Sequence, residues 1–434
     1  MMILKKKKYN IAIIGLGNIG LNLYKHLIKN RQNIKKKTNI DFQIIYVSAK
    51  NRLKKRSVKI PKKLWIKNYI QAARSNNIDI VIELIGGDEG AAKKLVFESL
   101  KNKKHVVTAN KSLISKYGNE LSRLAEKNKV NLEYEAAVAG GVPIIRTIKE
   151  GLITNTITKI YGILNGTSNY ILSKMSETQM NFKDVLKNAQ RLGYAESNPV
   201  SDLNGEDAKS KIQILSSLAF NSFINKNDIN VEGIQGIDQV DMINAKNLGY
   251  NIKHLAIAEL KNNKIIQRVH ACLVSSKSYI GNINDVYNAV IIEGVPIGKF
   301  TIQGEGAGPG PTTSALVSDI CSILRGNIKF PFSIPLKNRK HIRSLNISDE
   351  FFSSYLRLDV IDKTGVLSSI TKILSKNKIS VKRLIQNPLK SKKFSSIIII
   401  SHKAKNSSLV KTIKELSNKN FVINKPKFFR IEDI

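Results

Sequence analysis

Cysteine is close to absent. Two residues, Cys272 and Cys321, in a chain of 434 cannot make a disulfide framework, and such a composition implies the reducing cytosol. Long apolar runs are missing too. None approaches the ~20 residues that a membrane helix needs, so no membrane partner is expected. The N-terminus, KKKKYNIAIIGLGNIG, sets a basic stretch before an apolar one, as a signal peptide does. Gly15, Gly17, Asn18 and Gly20 interrupt that apolar stretch, and no A-x-A cleavage site follows. A cytoplasmic protein is expected. Histidine is scarce, and His26, His105, His254 and His270 have no metal-ligand spacing, so they are read as ordinary structural or surface residues. Acids are outnumbered, 33 Asp and Glu against 71 Lys and Arg, for a formal charge of +38. Such an excess suits a protein that neutralises nucleic-acid phosphates. The lysines, however, are dispersed in short runs such as Lys35–Lys37, and the few aromatics are not interleaved with them as a stacking platform requires. We read a compositional lysine bias and no nucleic-acid partner. A basic nucleic-acid-binding protein is the competing reading, and it needs the charge gathered on one face.

What is present begins with YNIAIIGLGNIG, a short β-rich run ending in Gly15, Gly17 and Gly20, with a helical pattern after it. In that setting G-x-G-x-x-G has a mechanism: Gly15 allows the tight turn, Gly17 lets a pyrophosphate approach the backbone, and Gly20 lets helix and strand pack closely. The turn Gly15, Leu16, Gly17, Asn18, Ile19, Gly20 is thus a candidate dinucleotide cradle; a glycine turn with no ligand is the alternative. Further β-rich runs follow at 42–49, 78–87, 104–111 and 130–138, with helical segments between several of them. Alternating strands and helices imply a doubly wound parallel sheet of Rossmann type. After the second run, where an NAD site usually carries an acid for the ribose 2′-hydroxyl, the chain offers Lys50, Arg52, Lys54, Lys55 and Arg56. Cations there suit a 2′-phosphate, with Lys50 and Arg52 the expected contacts. NADP is therefore favoured, and NAD stays possible.

Beyond about residue 140 longer helices and separate β-rich runs indicate an α+β region. The glycine- and proline-rich GEGAGPGPTTSALVSDICSIL then enters a helix near Thr312, with the threonine hydroxyls expected as caps. The expected organisation is a dinucleotide-binding domain over 1–138, completed by about 305–330, and a substrate-binding, catalytic and dimerisation domain over 139–304. A linker over 331–352, rich in proline and poor in periodicity, leads to a β-α-β-β-α-β unit of ferredoxin-like order over 353–434.

The stretch LGYAESNPVSDLNGEDAKSK, Leu192 to Lys211, concentrates varied chemistry. GEDAKSK reads as a helix start, which puts Asp207 and Lys211 on one face at i and i+4, with Lys209 off that face as plain solvated charge. Taken alone, such a pair is usually a surface ion pair of small energetic weight.

Six stretches in order, VVTANK, YEAAVAGGVPII, NGTSNYIL, LGYAE, DLNGEDAKSK and GEGAGPGPTTSA, together resemble the homoserine dehydrogenase family over about Ile11 to Leu324. The C-terminal unit resembles an ACT domain. The resemblance implies reversible NAD(P)-dependent conversion of L-aspartate 4-semialdehyde to L-homoserine, a step of threonine and methionine synthesis. It implies Lys211 as proton donor with Asp207 holding it. Lys111, which with Thr108 borders the cofactor, is an alternative proton shuttle. Glu196 matches the family residue that receives the substrate ammonium, with Tyr194 and Asp202 close by. Asn165, Gly166 and Thr167 are implied for the substrate carboxylate, and Gly193 and Gly306 for the nicotinamide end. A monovalent cation such as Na⁺ is implied on backbone oxygens of Glu135, Val138, Gly140 and Val142, where sequence alone supports only a hinge. A homodimer formed through the second domain is implied, as is an amino-acid effector such as threonine at the ACT domain. One departure stands out: the usual Asp-x-Pro-Gly turn reads Asp362, Lys363, Thr364, Gly365, and Thr cannot pre-set φ as Pro does. Another ACT-tailed amino-acid dehydrogenase is the nearer alternative.

Overall fold

The computed structural model describes residues 7–225, 229–388 and 393–434. The first layer is a parallel sheet of β1 (Lys8–Ile14), β2 (Asp41–Ser48), β3 (Ile80–Glu83), β4 (His105–Thr108) and β5 (Leu132–Glu133), in the order β2-β1-β3-β4-β5. Its central strands carry the apolar runs Ile11–Ile14 and Ile80–Ile82, as a sheet covered by helices on both faces requires. The helix Asn18–Thr38 covers one face. The helix Pro309–Leu324 returns to that face and packs Leu316, Ile320 and Ile323 into the core shared with Leu23 and Leu27. That helix starts at Pro309, earlier than expected, because Pro is favoured in the first turn. Thr312 and Thr313 are therefore buried inside it and cap nothing; the Thr313 hydroxyl instead donates to Asn22 Oδ1 at 2.9 Å, pinning the two helices together. The strand order reverses at β1 and β3, and in open α/β sheets ligands bind at such a switch point.

The second sheet runs through the rest of the chain. Its strands are β6 (Thr156–Ile163), β7 (Ile229–Val231), β8 (Tyr250–Lys261), β9 (Lys264–Ser275), β10 (Tyr287–Val295), β11 (Gly298–Glu305), β12 (Arg343–Leu345), β13 (Phe351–Ile361), β14 (Val381–Pro388), β15 (Phe394–Ser401), β16 (Ala404–Lys405) and β17 (Lys427–Glu432). The main order is β11-β10-β6-β8-β9-β17-β13-β15-β14. The last four strands, with the helices Val366–Lys376 and Asn406–Ser417, form the expected β-α-β-β-α-β unit.

That unit does not hang from a tether. One edge of β9 is covered by three short strands in turn: β12 beside residues 264–266, β7 beside 267–269, and β17 beside 272–274. The segment expected as a linker thus supplies β12. It also supplies Arg339, whose buried guanidinium donates to the Ser222 carbonyl, Ser217 and Asn119. Low periodicity suggested a tether; the short strand β12, the buried Arg339, the core residue Phe332 and backbone bonds of Lys340 to Asn221 and Phe223 hold the segment instead. Among the described residues no helix is long and apolar enough to cross a membrane.

Candidate active site

The cofactor turn comes first in the chain. Gly15 has φ +108°, and a Cβ there would meet the Leu84 carbonyl oxygen at 2.2 Å. At Gly20 a Cβ would lie 1.9 Å from the Gly15 carbonyl oxygen, so strand and helix touch backbone to backbone. At Gly17 a Cβ would meet nothing within 4 Å. Two glycines are thus enforced by the turn itself, while the third faces open space at the start of the helix Asn18–Thr38. That helix has no acid in its first turn and no side-chain cap, so its N–H groups are left for an anion. These residues fit the pyrophosphate of a dinucleotide. Leu16 is buried in the core, so only its backbone faces the turn.

Two residues that build this end of the sheet escaped the sequence reading. Glu83 closes β3, fully buried, and accepts from the backbone N–H groups of Ile85 and Gly86 at 2.7 and 3.0 Å and from the Thr108 hydroxyl at 2.6 Å. Thr108 is thereby turned into the structure and does not face the cleft. Asn110 caps the next helix, accepting from Leu113 N at 3.1 Å and donating to the Gly87 carbonyl at 2.6 Å. An acid ending an apolar strand, IVIE, was the available signal for Glu83.

Lys111 is the first residue of the helix Lys111–Asn128, which packs against the helix Glu206–Ala219. The two helices bring Lys111 Nζ to 2.9 Å from Asp207 Oδ1, while Lys211 Nζ lies 2.8 Å from Asp207 Oδ2. Asp207 is buried and also accepts from Asn165 Nδ2 at 2.8 Å; the same amide nitrogen donates to Asp202 Oδ1 at 2.8 Å. Burial would push the Asp207 carboxyl up, but the Lys211 and Lys111 ammonium groups and the Asn165 amide hold it well below the usual carboxylate range. Lys211 is buried and donates to the Leu164 carbonyl at 2.6 Å. An ammonium has three donors, so with Asp207 and Leu164 served, one remains. Lys111 is 37% exposed to the cleft. Its burial works against charge, but Asp207, Asp202 and Glu196 outweigh it and raise the ammonium above its ordinary value. Lys209, expected as plain solvated charge, pairs with Glu206 at 3.1 Å beside the cleft.

The substrate-side residues gather around the same point. Asn165 caps the helix Gly166–Thr178, accepting from Ser168 N at 2.7 Å. The Thr167 hydroxyl donates to the Tyr194 carbonyl at 2.8 Å and Ser168 Oγ to the Asp202 carbonyl at 2.8 Å, tying the 193–203 loop to that helix. The Tyr194 ring packs on Tyr170 with centroids 4.9 Å apart. Gly193, at φ +78°, and Glu196 are exposed on this loop.

Two groups lie apart from the cluster. Lys50 and Arg52 are exposed in the loop after β2, where Arg52 and Arg56 sit over the Trp65 ring at 5.6 and 5.0 Å. Arg56 is committed to the loop itself, donating to the carbonyls of Asn51, Arg52 and Lys54. The segment holding Glu135, Val138, Gly140 and Val142 is buried at the crossing between the two layers. There the Glu135 carboxylate accepts from Ile145 and Arg146 N–H at 2.9 and 2.8 Å. Burial, against those two bonds, pushes that carboxyl up to about 7. The Val142 carbonyl accepts from Ile144 N at 2.8 Å and the Glu135 carbonyl from Val138 N at 3.4 Å; each oxygen keeps a second lone pair. The Glu135 and Val142 oxygens therefore remain able to accept a further contact.

Comparison with known proteins agrees with this geometry. The family model described as "Homoserine dehydrogenase" matches residues 143–321, that of the homoserine dehydrogenase NAD-binding domain matches 15–135, and that of the ACT domain matches 354–419. A homoserine dehydrogenase of Neisseria gonorrhoeae is 38% identical over 402 residues, covering 91% of this chain and 92% of its own. One of Helicobacter pylori is 36% identical, covering 99% and 100%. The crystal structure of a homoserine dehydrogenase from Thiobacillus denitrificans superposes with a TM-score of 0.91 at 36% identity, covering 99% of each chain. A nicotinamide-dinucleotide domain, a substrate domain that builds a lysine–aspartate–lysine cluster together with it, and an ACT domain occur here in one chain, and it belongs to the homoserine dehydrogenase family.

Proposed function

We propose that this homoserine dehydrogenase works with NADP(H), that Lys211 exchanges the proton, and that the reaction serves threonine and methionine synthesis in the cytoplasm. The nicotinamide, when bound, supplies or accepts the hydride. As the aldehyde carbon of L-aspartate 4-semialdehyde is reduced, its oxygen gains negative charge. The third donor of Lys211 stabilises that charge and delivers the proton. Asp207 keeps the ammonium aimed, and Lys111, on the other oxygen of Asp207, adds positive charge at the cleft. The substrate carboxylate is received by Gly166 and Thr167 at the first turn of the helix capped by Asn165, and the ammonium by Glu196, beside Tyr194 and Asp202. Gly193 and Gly306 border the nicotinamide end. Lys50 and Arg52 take the 2′-phosphate. A monovalent cation such as Na⁺ rests on the carbonyls of Glu135, Val138, Gly140 and Val142. The ACT domain receives an amino-acid effector, with threonine the first candidate, and two chains pair through the substrate domain.

The observation that carries this reading is the sharing of one buried carboxylate, Asp207, by two lysines from different helices. Aspartate semialdehyde should oxidise NADPH rapidly and NADH more slowly. No turnover with either cofactor would sink the activity, and a clear preference for NADH would sink the cofactor assignment.

A further inference from the structure

The chain passes from the cofactor layer to the substrate sheet through residues 135–143 and returns through residues 305–309. These two crossings touch. Gly141 N donates to the Glu305 carbonyl at 3.1 Å, and a Cβ on Gly140 would lie 2.4 Å from the Gly306 carbonyl oxygen. Beneath them, near the start of β10, is Asn288, fully buried. A Cβ on Gly306 would lie 2.1 to 2.3 Å from Cγ, Oδ1 and Nδ2 of Asn288, so the return crossing rests directly on that carboxamide. On its other side, a Cβ on Gly166 would be 3.6 Å from Asn288 Oδ1. The amide thus sits between the crossing and the first residue of the substrate helix.

Neither Oδ1 nor Nδ2 of Asn288 has a hydrogen-bond partner among the described residues. The neighbouring Asn169 shares an unpartnered Oδ1, but its amide nitrogen serves the carbonyls of Ile283, Asp285 and Tyr287 in the turn leading into β10. An orphaned buried amide is costly, and a leucine of similar size would remove that cost. The polar group kept at this point lies against the backbone of Gly306 on one side and of Gly166 on the other.

We propose that Asn288 is a positioning residue for hydride transfer. Its carboxamide sets the crossing of the two segments that join the cofactor and substrate halves, and through them the spacing of the two reactants. The inference rests on the dehydrogenase reading given above. It is not a contact with substrate, since the amide is closed off from the cleft.

The test uses Asn288→Leu and Asn288→Ala in the full chain. NADPH fluorescence titration counts folded binding sites and gives Kd; turnover with aspartate semialdehyde is then expressed per site. Both variants should keep NADPH Kd within about two-fold, because the phosphates bind at the Gly15–Gly20 turn. Turnover per site should fall ~10-fold to 100-fold, the effect of a small misplacement of reactants. The Leu variant should melt no lower than the wild type, and deuterated NADPH should give a larger isotope effect on kcat. A merely structural role would change the number of sites and the melting temperature, not turnover per site or the isotope effect. A folded Leu or Ala variant within two-fold of wild-type turnover per site overturns the inference, and if Leu prevents folding, Ala decides. An inactive wild type would instead overturn the functional reading, and this inference with it.

Discussion

Two clusters of buried charge lie where the substrate domain meets its neighbours, and they are built differently. At the cleft, two ammonium groups from separate helices share the single carboxylate of Asp207, and one of them, Lys111, faces outward. At the edge of β9 the charges alternate and close on themselves. Arg268 donates to Glu432 at 2.7 and 2.8 Å and to Glu259 at 2.8 Å, His270 Nε2 lies 2.9 Å from Glu432, and Arg430 reaches Glu232 at 2.9 Å. Arg357 likewise pairs with Asp241 at 2.8 Å, joining β13 to the helix Gln239–Asn247. The first cluster gathers two ammonium groups on one carboxylate at an open cleft. The second pairs guanidinium groups with carboxylates away from the cleft and holds the C-terminal strand against β9.

The largest expected effect breaks the second cluster. Glu432→Ala leaves His270 without its carboxylate and Arg268 with Glu259 alone, and should cost ~3–5 kcal/mol of folding stability, measured by denaturant melts, with kcat per folded molecule little changed. A chain shortened after Asn338 loses β12 and β17 together and uncovers much of one edge of β9. It should be poorly folded. A soluble, fully active product would show that the ACT unit is detachable after all.

Acid should loosen the same region. Burial holds His254 down to about 4, with Glu232 O at 3.0 Å from its Nε2, and it lowers His270 as well. The unfolded chain therefore binds these protons first. Stability is retained above about pH 6.5 and lost as pH falls toward 4, by roughly 3 kcal/mol for His254 alone. Glu432, held far below the usual carboxylate range despite burial by Arg268 and His270, adds a loss below about pH 4.3. Melting temperature against pH should slope accordingly, and His254→Gln should flatten the slope between pH 6.5 and 4. An unchanged slope would remove His254 from the account.

Much of this was legible in the sequence, and the boundary of legibility is physical. The glycine turn and the Asp207–Lys211 pair are local, fixed by spacings of two to four residues, and the structure places them as periodicity implies. Lys111 meets Asp207 across 96 positions, and no local pattern encodes that contact; only the resemblance placed them together. The docking of β17 is less visible still. Its partner β9 lies more than 150 residues earlier, and RIE reads as an ordinary chain end. Arg339 is one of many basic residues in this chain, and nothing in the segment LKNRK distinguishes it as the buried one. A lysine- and arginine-rich composition hides its few structural cations among solvated ones.

The smallest expected effect sharpens the cofactor end. Arg52→Ala should lower kcat/KM with NADP(H) by roughly ten-fold, the loss of one phosphate contact, and leave the NAD(H) value alone. Equal losses with both cofactors would assign Arg52 to the loop's structure on Trp65 instead.

The central claim is that the reserved donor of Lys211 carries the proton. The direct measurement compares kcat for Lys211→Ala and Lys111→Ala in both reaction directions, alongside NADPH Kd. Lys211→Ala should lower kcat by ~10²–10⁴, the range for a positioned general acid, with NADPH binding nearly intact and Lys111→Ala less severe. Near-normal turnover in Lys211→Ala, or a larger loss in Lys111→Ala, would contradict it.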